Sequence, residues 1–249
     1  MIDIRGRVAF LTGAAEGLGR EIARELVAGG MRVALMDVQG DKLAALTDEL
    51  RSGGADVLPI VVDLADPVAT AAAVETALGH YGTPRVLIHN AAVLREVSLL
   101  DVTFENWRRE VDIILGGAYV LTKSVWAHMV EARDGSIVFL SSGSALFGFV
   151  KETAYTPGKH AQEGLMKVLA LEGREHNIAV NTMSTGRPID TPMSDSHYTE
   201  EMRIGIVPPA RLAPAFAFLA GVDADFATGQ RFNAFQVSEA IRVTREAAG

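Results

Sequence analysis

The sequence predicts an α/β fold in which a doubly wound parallel sheet of seven strands carries helices on both faces. Short runs rich in Val, Ile and Leu recur along the chain, and each is followed by a longer stretch with the apolar spacing of a helix. The short runs are continuously apolar rather than alternating, which is typical of strands covered on both faces. No linker-like break in composition separates the repeats, so residues 1–249 are expected to form a single domain.

The boundaries of the elements follow from these patterns. The predicted strands are Val8–Leu11, Arg32–Met36, Val57–Val62, Val86–His89, Ser136–Leu140, Ile178–Thr182 and Arg231–Phe235. The predicted helices are Gly17–Ala28, Asp41–Arg51, Val68–Tyr81, Phe104–Ala132, Ala154–Arg174 and Ala210–Gly221. The fourth and fifth helices are apolar around more than one stripe and therefore need burial on two sides. One side is the sheet, and the other is either a second subunit or a thick helical layer of the same monomer.

Composition narrows the class of partner. A formal net charge of -8 argues against nucleic acid and anionic membranes, because both require clustered Lys and Arg. The chain has no cysteine, and its six histidines show no metal-ligand spacing, so neither a disulfide scaffold nor a metal site is expected. The start of the chain is acidic where a signal peptide is basic, and no run approaches the roughly 18 uninterrupted apolar residues of a membrane span. We expect a cytoplasmic protein that binds a small molecule.

The first predicted strand leads directly into a glycine-rich turn, and a helical pattern follows. The turn reads Thr12-Gly13-Ala14-Ala15-Glu16-Gly17-Leu18-Gly19. Glycines in this context let the backbone approach a pyrophosphate, and the free amides at the start of the helix supply donors. An ordinary tight turn is the alternative for the glycines taken alone.

Asp37 follows the second predicted strand, where an acid accepts hydrogen bonds from the ribose hydroxyls of a bound dinucleotide. A 2'-phosphate would be repelled there, Glu16 adds a second negative charge, and no Arg or Lys comes immediately after Asp37. The sequence therefore favours NAD over NADP. Asp37 can also serve as a turn or cap acid before the next helix, and both roles can hold at once.

Two further groups close the third and fourth predicted strands. They are Asp63-Leu64 and Asn90-Ala91-Ala92. Each alone is a common strand-end turn, but both fall at the carboxyl edge of the sheet, where open α/β folds bind ligands. We therefore expect them to line the same cofactor site.

Candidate catalytic residues follow the fifth predicted strand. Ser142 is the second residue after it, and Tyr155 and Lys159 lie four residues apart, on one face of a helix. An adjacent ammonium and a positive nicotinamide both favour the phenolate of Tyr155, which can then exchange a proton with a substrate oxygen. Ser142 would hold that oxygen by a hydrogen bond. A Tyr-Lys pair by itself is more often an ordinary feature of a surface helix.

The order and rough spacing of these groups resemble those of the short-chain dehydrogenase/reductase family, over nearly the whole chain. The resemblance implies a Rossmann-like fold and a Ser-Tyr-Lys mechanism that interconverts a secondary alcohol and a ketone. It also implies that Lys159 binds the nicotinamide ribose, that Ile189 and Thr191 contact the nicotinamide carboxamide, and that the protein is a homotetramer or dimer.

Three departures from the family pattern bear on activity. Ile114 stands where the family usually has an Asn that anchors a water linking the lysine to solvent, and its side chain cannot form a hydrogen bond. A backbone carbonyl or another water can substitute. Pro157 lies between the catalytic pair, so the helix is expected to start close to Tyr155, and Thr185 replaces a common Pro. These departures leave open a catalytically impaired dinucleotide-binding protein that acts in sensing or assembly.

The residues expected near the substrate are mixed and mostly small or apolar. Those that suggest a partly hydrophobic alcohol or ketone are Leu146, Phe147, Phe149, Val150, Met193 and Tyr198. A loop can present the same residues to the core or to a partner chain, so this substrate class remains a hypothesis.

Overall fold

The computed structural model describes residues 2–201 and 203–248, and its centre is one parallel sheet of seven strands. The strands are β1 (Val8–Thr12), β2 (Arg32–Asp37), β3 (Val57–Val61), β4 (Val86–His89), β5 (Gly135–Leu140), β6 (Ile178–Ser184) and β7 (Arg231–Asn233). Their order across the sheet is β3-β2-β1-β4-β5-β6-β7. The order reverses between β1 and β4, which opens a crevice at the carboxyl edge of the sheet. The predicted Rossmann-like α/β fold is confirmed.

Nine α-helices lie within the described residues. They are α1 (Gly17–Ala28), α2 (Gly40–Ser52), α3 (Pro67–Tyr81), α4 (Phe104–Val111), α5 (Gly117–Ala132), α6 (Tyr155–Gly173), α7 (Pro192–His197), α8 (Ala213–Ala220) and α9 (Ala234–Ala248). Helices α1, α2 and α8 pack on one face of the sheet, and α3, α5 and α6 pack on the other. Along β1, Ala9 and Leu11 belong to the first layer, and Val8 and Phe10 belong to the second. This double burial explains why the strands are continuously apolar.

The long predicted helix over residues 104–132 is continuous but contains an unpredicted π-helical turn at Asp112–Gly116, between α4 and α5. Its length and composition would suffice to cross a membrane, with a mean hydropathy of 1.3 over its most apolar window. One such helix is weak evidence for a membrane span, and 44% of that window is buried inside the fold. The π turn lies directly opposite α6 and becomes important at the site described below.

The last part of the chain departs from the sequence prediction. The seventh strand ends at Asn233 rather than Phe235, because the Asn233 side chain accepts a hydrogen bond from the Gln236 amide and starts α9 there. The Phe235 amide donates to the carbonyl of Thr185, which fixes the new helix to the end of β6. The helix predicted from Ala210 is a short 3-10 turn followed by α8.

Candidate active site

The glycine-rich turn forms a cradle that only glycine can build. Gly13 has φ +65°, and a Cβ at this position would lie 2.7 Å from Nδ2 of Asn90. A Cβ at Gly19 would lie 1.8 Å from the carbonyl oxygen of Gly13. Gly17 has φ +55°, a conformation that L side chains rarely adopt. The turn therefore packs against itself and against β4, and the amides at the start of α1 remain free to bind an anion.

Asn90 holds this turn in place. Its Nδ2 donates to the carbonyl oxygens of Thr12 at 3.2 Å and Gly13 at 2.9 Å. The amide of Ala91 donates to Oγ1 of Thr12 at 3.2 Å. The strand end predicted to line the cofactor site thus also fixes the shape of the phosphate turn.

Asp37 is the last residue of β2 and is 8% exposed. Its Oδ2 accepts from the Ala15 amide and its Oδ1 from the Gln39 amide, both at 2.9 Å. Because a carboxylate offers about four acceptor sites, it can still accept from a ligand hydroxyl. Asp37 can therefore act both as the acid that stabilises the turn before α2 and as an acceptor for the ribose hydroxyls.

Two basic residues that the sequence did not single out accompany the predicted acids. Lys42 forms an ion pair with Glu16, so the second negative charge counted toward NAD preference is compensated. Although burial opposes the shift, hydrogen bonds from Lys42 and Gln39 hold the pKa of Glu16 below its usual value. Arg109 pairs with Asp63 at 2.7 Å. Lys42 lies on α2 and Arg109 on α4, so each reaches its acid from a helix that is distant in sequence. No local sequence signal marks either pairing.

A cleft of about 460 Å³ runs along the carboxyl edge of the sheet. The predicted cofactor residues that line it are Gly13, Glu16, Gly17, Leu18, Asp37, Asp63, Leu64, Asn90, Ala91, Ala92, Tyr155, Ile189 and Thr191. Gly19, Ser142 and Lys159 are not among the residues that line it. The cradle that a Cβ would fill, followed by an acid at the end of β2, fits a nicotinamide dinucleotide.

The three predicted catalytic side chains meet at one end of this cleft. Tyr155 is the first residue of α6, as the position of Pro157 predicted. Ser142 lies two residues after the end of β5, where its Oγ is 3.3 Å from Oγ of Ser144 and accepts from the Ser144 amide at 3.1 Å. Burial raises the pKa of the Tyr155 phenol above its usual range, and the nearby Ser142 hydroxyl opposes this shift only in part. The phenol of the protein alone is therefore protonated at neutral pH.

Lys159 lies behind Tyr155 and is 1% exposed. Its Nζ donates to the carbonyl of Leu140 at 2.5 Å and lies 5.5 Å from the centroid of the Tyr155 ring. Burial lowers the pKa of Lys159 to about 7, against the opposing influence of the Glu163 carboxylate. The amine is thus close to its titration point at neutral pH.

Ile114 lies within the π turn and is fully buried. Its carbonyl oxygen is 3.1 Å from Nε2 of His89 and accepts from Nε2 of Gln162 at 3.2 Å. His89 and Gln162 were not singled out from the sequence. His89 is a polar residue in an otherwise apolar strand, whereas Gln162 lies among several polar residues of α6 and has no such signal. They occupy the backbone carbonyl that the sequence left available for a relay water.

The profile of a family described as short chain dehydrogenase matches residues 7–202. The chain belongs to the short-chain dehydrogenase family. The BbsD subunit of (2S)-[(R)-hydroxy(phenyl)methyl]succinyl-CoA dehydrogenase from Thauera aromatica is 30% identical over 237 residues, which cover 92% of this chain and 95% of that subunit. The 3-alpha-(or 20-beta)-hydroxysteroid dehydrogenase of Mycobacterium bovis is 32% identical over 231 residues, which cover 91% of this chain and 87% of that protein.

A solved structure supports the same assignment. A blue fluorescent protein from a metagenomic library, in complex with NADPH, superposes with a TM-score of 0.86 at 30% identity, covering 94% of this chain and 99% of that one. The fold is therefore that of a short-chain dehydrogenase.

The apolar residues expected near the substrate take different positions in this short-chain dehydrogenase. Of the apolar residues expected there, Met193 lines the cleft, whereas Leu146, Phe147, Phe149 and Val150 are exposed on the segment between β5 and α6. Among the described residues, no group of three or more acidic or His side chains is placed to hold a metal ion.

Proposed function

We propose that the chain is an NAD(H)-dependent oxidoreductase that interconverts a secondary alcohol and a ketone, with Ser142, Tyr155 and Lys159 as its catalytic residues. The main support is that Tyr155 lines a cleft that begins at the glycine-rich turn, with Nζ of Lys159 5.5 Å from the centroid of its ring. Membership of the short-chain dehydrogenases supports oxidoreductase activity. Gly19 would allow the close approach of α1 to the Gly13 carbonyl that shapes the cofactor cradle. The predicted cofactor residues that line the cleft would bind the cofactor.

Each catalytic residue has a role that its surroundings support. When bound, the nicotinamide supplies or accepts the hydride. Ser142 orients the substrate oxygen by a hydrogen bond, and the protonated phenol of Tyr155 donates a proton to that oxygen during ketone reduction. In alcohol oxidation the phenolate of Tyr155 accepts the proton, and forming that phenolate requires a nearby positive charge because burial disfavours it. Lys159 supplies that charge when protonated and would also bind the nicotinamide ribose.

We propose NAD rather than NADP as the preferred cofactor, on the strength of Asp37. The pairing of Lys42 with Glu16 weakens the contribution of Glu16 to this preference, and one similar structure contains NADPH. Calorimetric titration with NAD and NADP tests the preference directly. Tighter binding of NAD, with discrimination reduced in Asp37→Ala, supports the proposal. Equal affinity of the parent protein for both cofactors would refute it.

The setting of the enzyme is also a proposal. We propose that residues 1–249 act as one catalytic unit in the cytoplasm, without a nucleic-acid or membrane partner, consistent with a net charge of -8. A homo-oligomer, either a dimer or a tetramer, would cover the exposed Val168 and Leu171 of α6.

The decisive test is turnover of NAD(H) against a panel of secondary alcohols and ketones, followed by the absorbance of NADH. Tyr155→Phe should abolish turnover and leave NAD binding intact, because it removes only the titratable hydroxyl. Tyr119→Phe, on the exposed side of α5, is the matched control. Turnover retained in Tyr155→Phe would exclude the acid-base role. NAD binding without turnover of any substrate would instead favour a catalytically impaired protein that acts in sensing or assembly.

A further inference from the structure

Lys159 has very few polar neighbours for a buried amine. Its Nζ donates to the Leu140 carbonyl at 2.5 Å, and the next acceptor is Oε1 of Gln162 at 3.4 Å. Gln162 is one helical turn further along α6 and is 1% exposed. The amide of Gln162 is thus part of the buried surroundings of the proposed catalytic lysine.

The other end of the same amide is fixed on a different element. Nε2 of Gln162 donates to the Ile114 carbonyl in the π turn, and Nε2 of His89 is the second donor to that oxygen. Since a carbonyl oxygen has two lone pairs, both acceptor sites of Ile114 are occupied by protein side chains. A water molecule cannot bind this carbonyl without displacing one of them.

Apolar packing closes the space around this contact. The Ile114 side chain is fully buried, and its Cγ2 lies 3.3 Å from the position that a Cβ would take at Gly158. Gly158 directly precedes Lys159 on α6, so the π turn and α6 are packed against each other beside the lysine. A buried polar amide in such packing is costly unless both of its ends are hydrogen-bonded.

We propose that Gln162 is a positioning residue of the catalytic lysine, linking Nζ of Lys159 to the Ile114 carbonyl and excluding water from the path between them. This inference rests on the proposed function, because it assigns Gln162 to the Ser-Tyr-Lys site. Lys159 is then held toward Tyr155 by protein groups, and it has no solvent connection through the Ile114 carbonyl. Proton exchange between the site and bulk solvent must follow another route.

Three substitutions separate positioning from simple packing, with the titration of Lys159 as the readout. Gln162→Met keeps the volume but removes the acceptor, so the pKa of Lys159 should fall by about one unit, a tenfold change in proton affinity. Gln162→Glu places a carboxylate beside the amine and should raise that pKa by a similar amount. Gln162→Ala removes one donor from the Ile114 carbonyl and opens space for water. The pKa of Lys159 should therefore be higher in Gln162→Ala than in Gln162→Met. Met166→Leu, at a buried position one turn further along α6, is the packing control.

The measurement is carbon NMR of lysines labelled at the ε-carbon, with the Lys159 signal assigned by its loss in Lys159→Arg. In parallel, kcat and KM are measured across pH, and Gln162→Met should lower kcat by at least about tenfold with little change in the KM for cofactor. A pKa of Lys159 that is the same in the parent, Met and Glu proteins would overturn the positioning role. Coincident values for the Ala and Met proteins would overturn the exclusion of water. The NMR titration needs no turnover, so an inactive parent protein would refute the proposed function without deciding this inference.

Discussion

The buried histidine at the end of β4 should make the stability of the protein depend on pH. His89 is 1% exposed, with Nε2 3.1 Å from the Ile114 carbonyl and Nδ1 3.0 Å from Oγ1 of Thr12. Because a carbonyl can only accept, Nε2 carries the proton and Nδ1 accepts from the threonine hydroxyl. The neutral ring therefore has a hydrogen-bond partner at each nitrogen. A second proton on His89 would place a positive charge in this buried site, and Nδ1 could then no longer accept from the Thr12 hydroxyl.

The size of the effect follows from the displaced pKa. Burial, followed by the charge of Lys159, lowers the pKa of His89 from 6.5 to about 4, although backbone hydrogen bonds oppose the shift. The unfolded state therefore binds the proton first as pH falls, and stability present above pH 6.5 is lost down to pH 4. A shift of roughly 2.5 units at 1.36 kcal/mol per unit amounts to about 3 kcal/mol.

The assay is urea unfolding of the parent and His89→Asn between pH 8 and 4.5, at fixed protein concentration so that any oligomer is treated equally. Asparagine offers a donor and an acceptor but does not titrate. The parent should be the more stable at pH 8, and its advantage should shrink by about 2 to 3 kcal/mol at the acid end. His128→Asn, at an exposed position of α5, controls for the loss of a histidine from the chain. An advantage that stays constant across this pH range would refute the reasoning.

Two further predictions concern the cofactor cradle and the support of the catalytic residues. Gly19→Ala should abolish NAD binding by calorimetry, because its Cβ would lie 1.8 Å from the Gly13 carbonyl oxygen. Gly79→Ala, on an open face of α3, should instead leave binding intact and stabilise the protein by about 0.5 to 1 kcal/mol; equal losses of binding would contradict the cradle. Glu163→Gln should destabilise the fold by about 3 kcal/mol in urea unfolding, since it removes the ion pair with Arg231 at 3.0 Å. The same change should lower the pKa of Lys159 below about 7, because the carboxylate raises it, and an unchanged NMR titration of Lys159 would contradict this.

The parts of the site that the sequence predicted are those carried by short stretches of chain. The glycine turn and Asp37 each adjoin a strand whose apolar run is easy to recognise, and parallel strands bring their carboxyl ends to one edge. Tyr155 and Lys159 share a helix face because their spacing is fixed by one helical turn. The limit of this reasoning appears at α9, where an Asn side chain starts a helix inside a predicted strand.

The sequence by itself therefore determined most of the strand and helix pattern and the glycine-rich turn, and it named the candidate members of the catalytic group. Only the tertiary structure decided how Lys159 is enclosed, because the two donors on the Ile114 carbonyl come from positions 25 and 48 residues away. The same holds for Lys42, which neutralises Glu16 across 26 residues. Local spacing fixes which residues share a strand end or helix face, whereas contacts between side chains of separate elements exist only after the layers have packed.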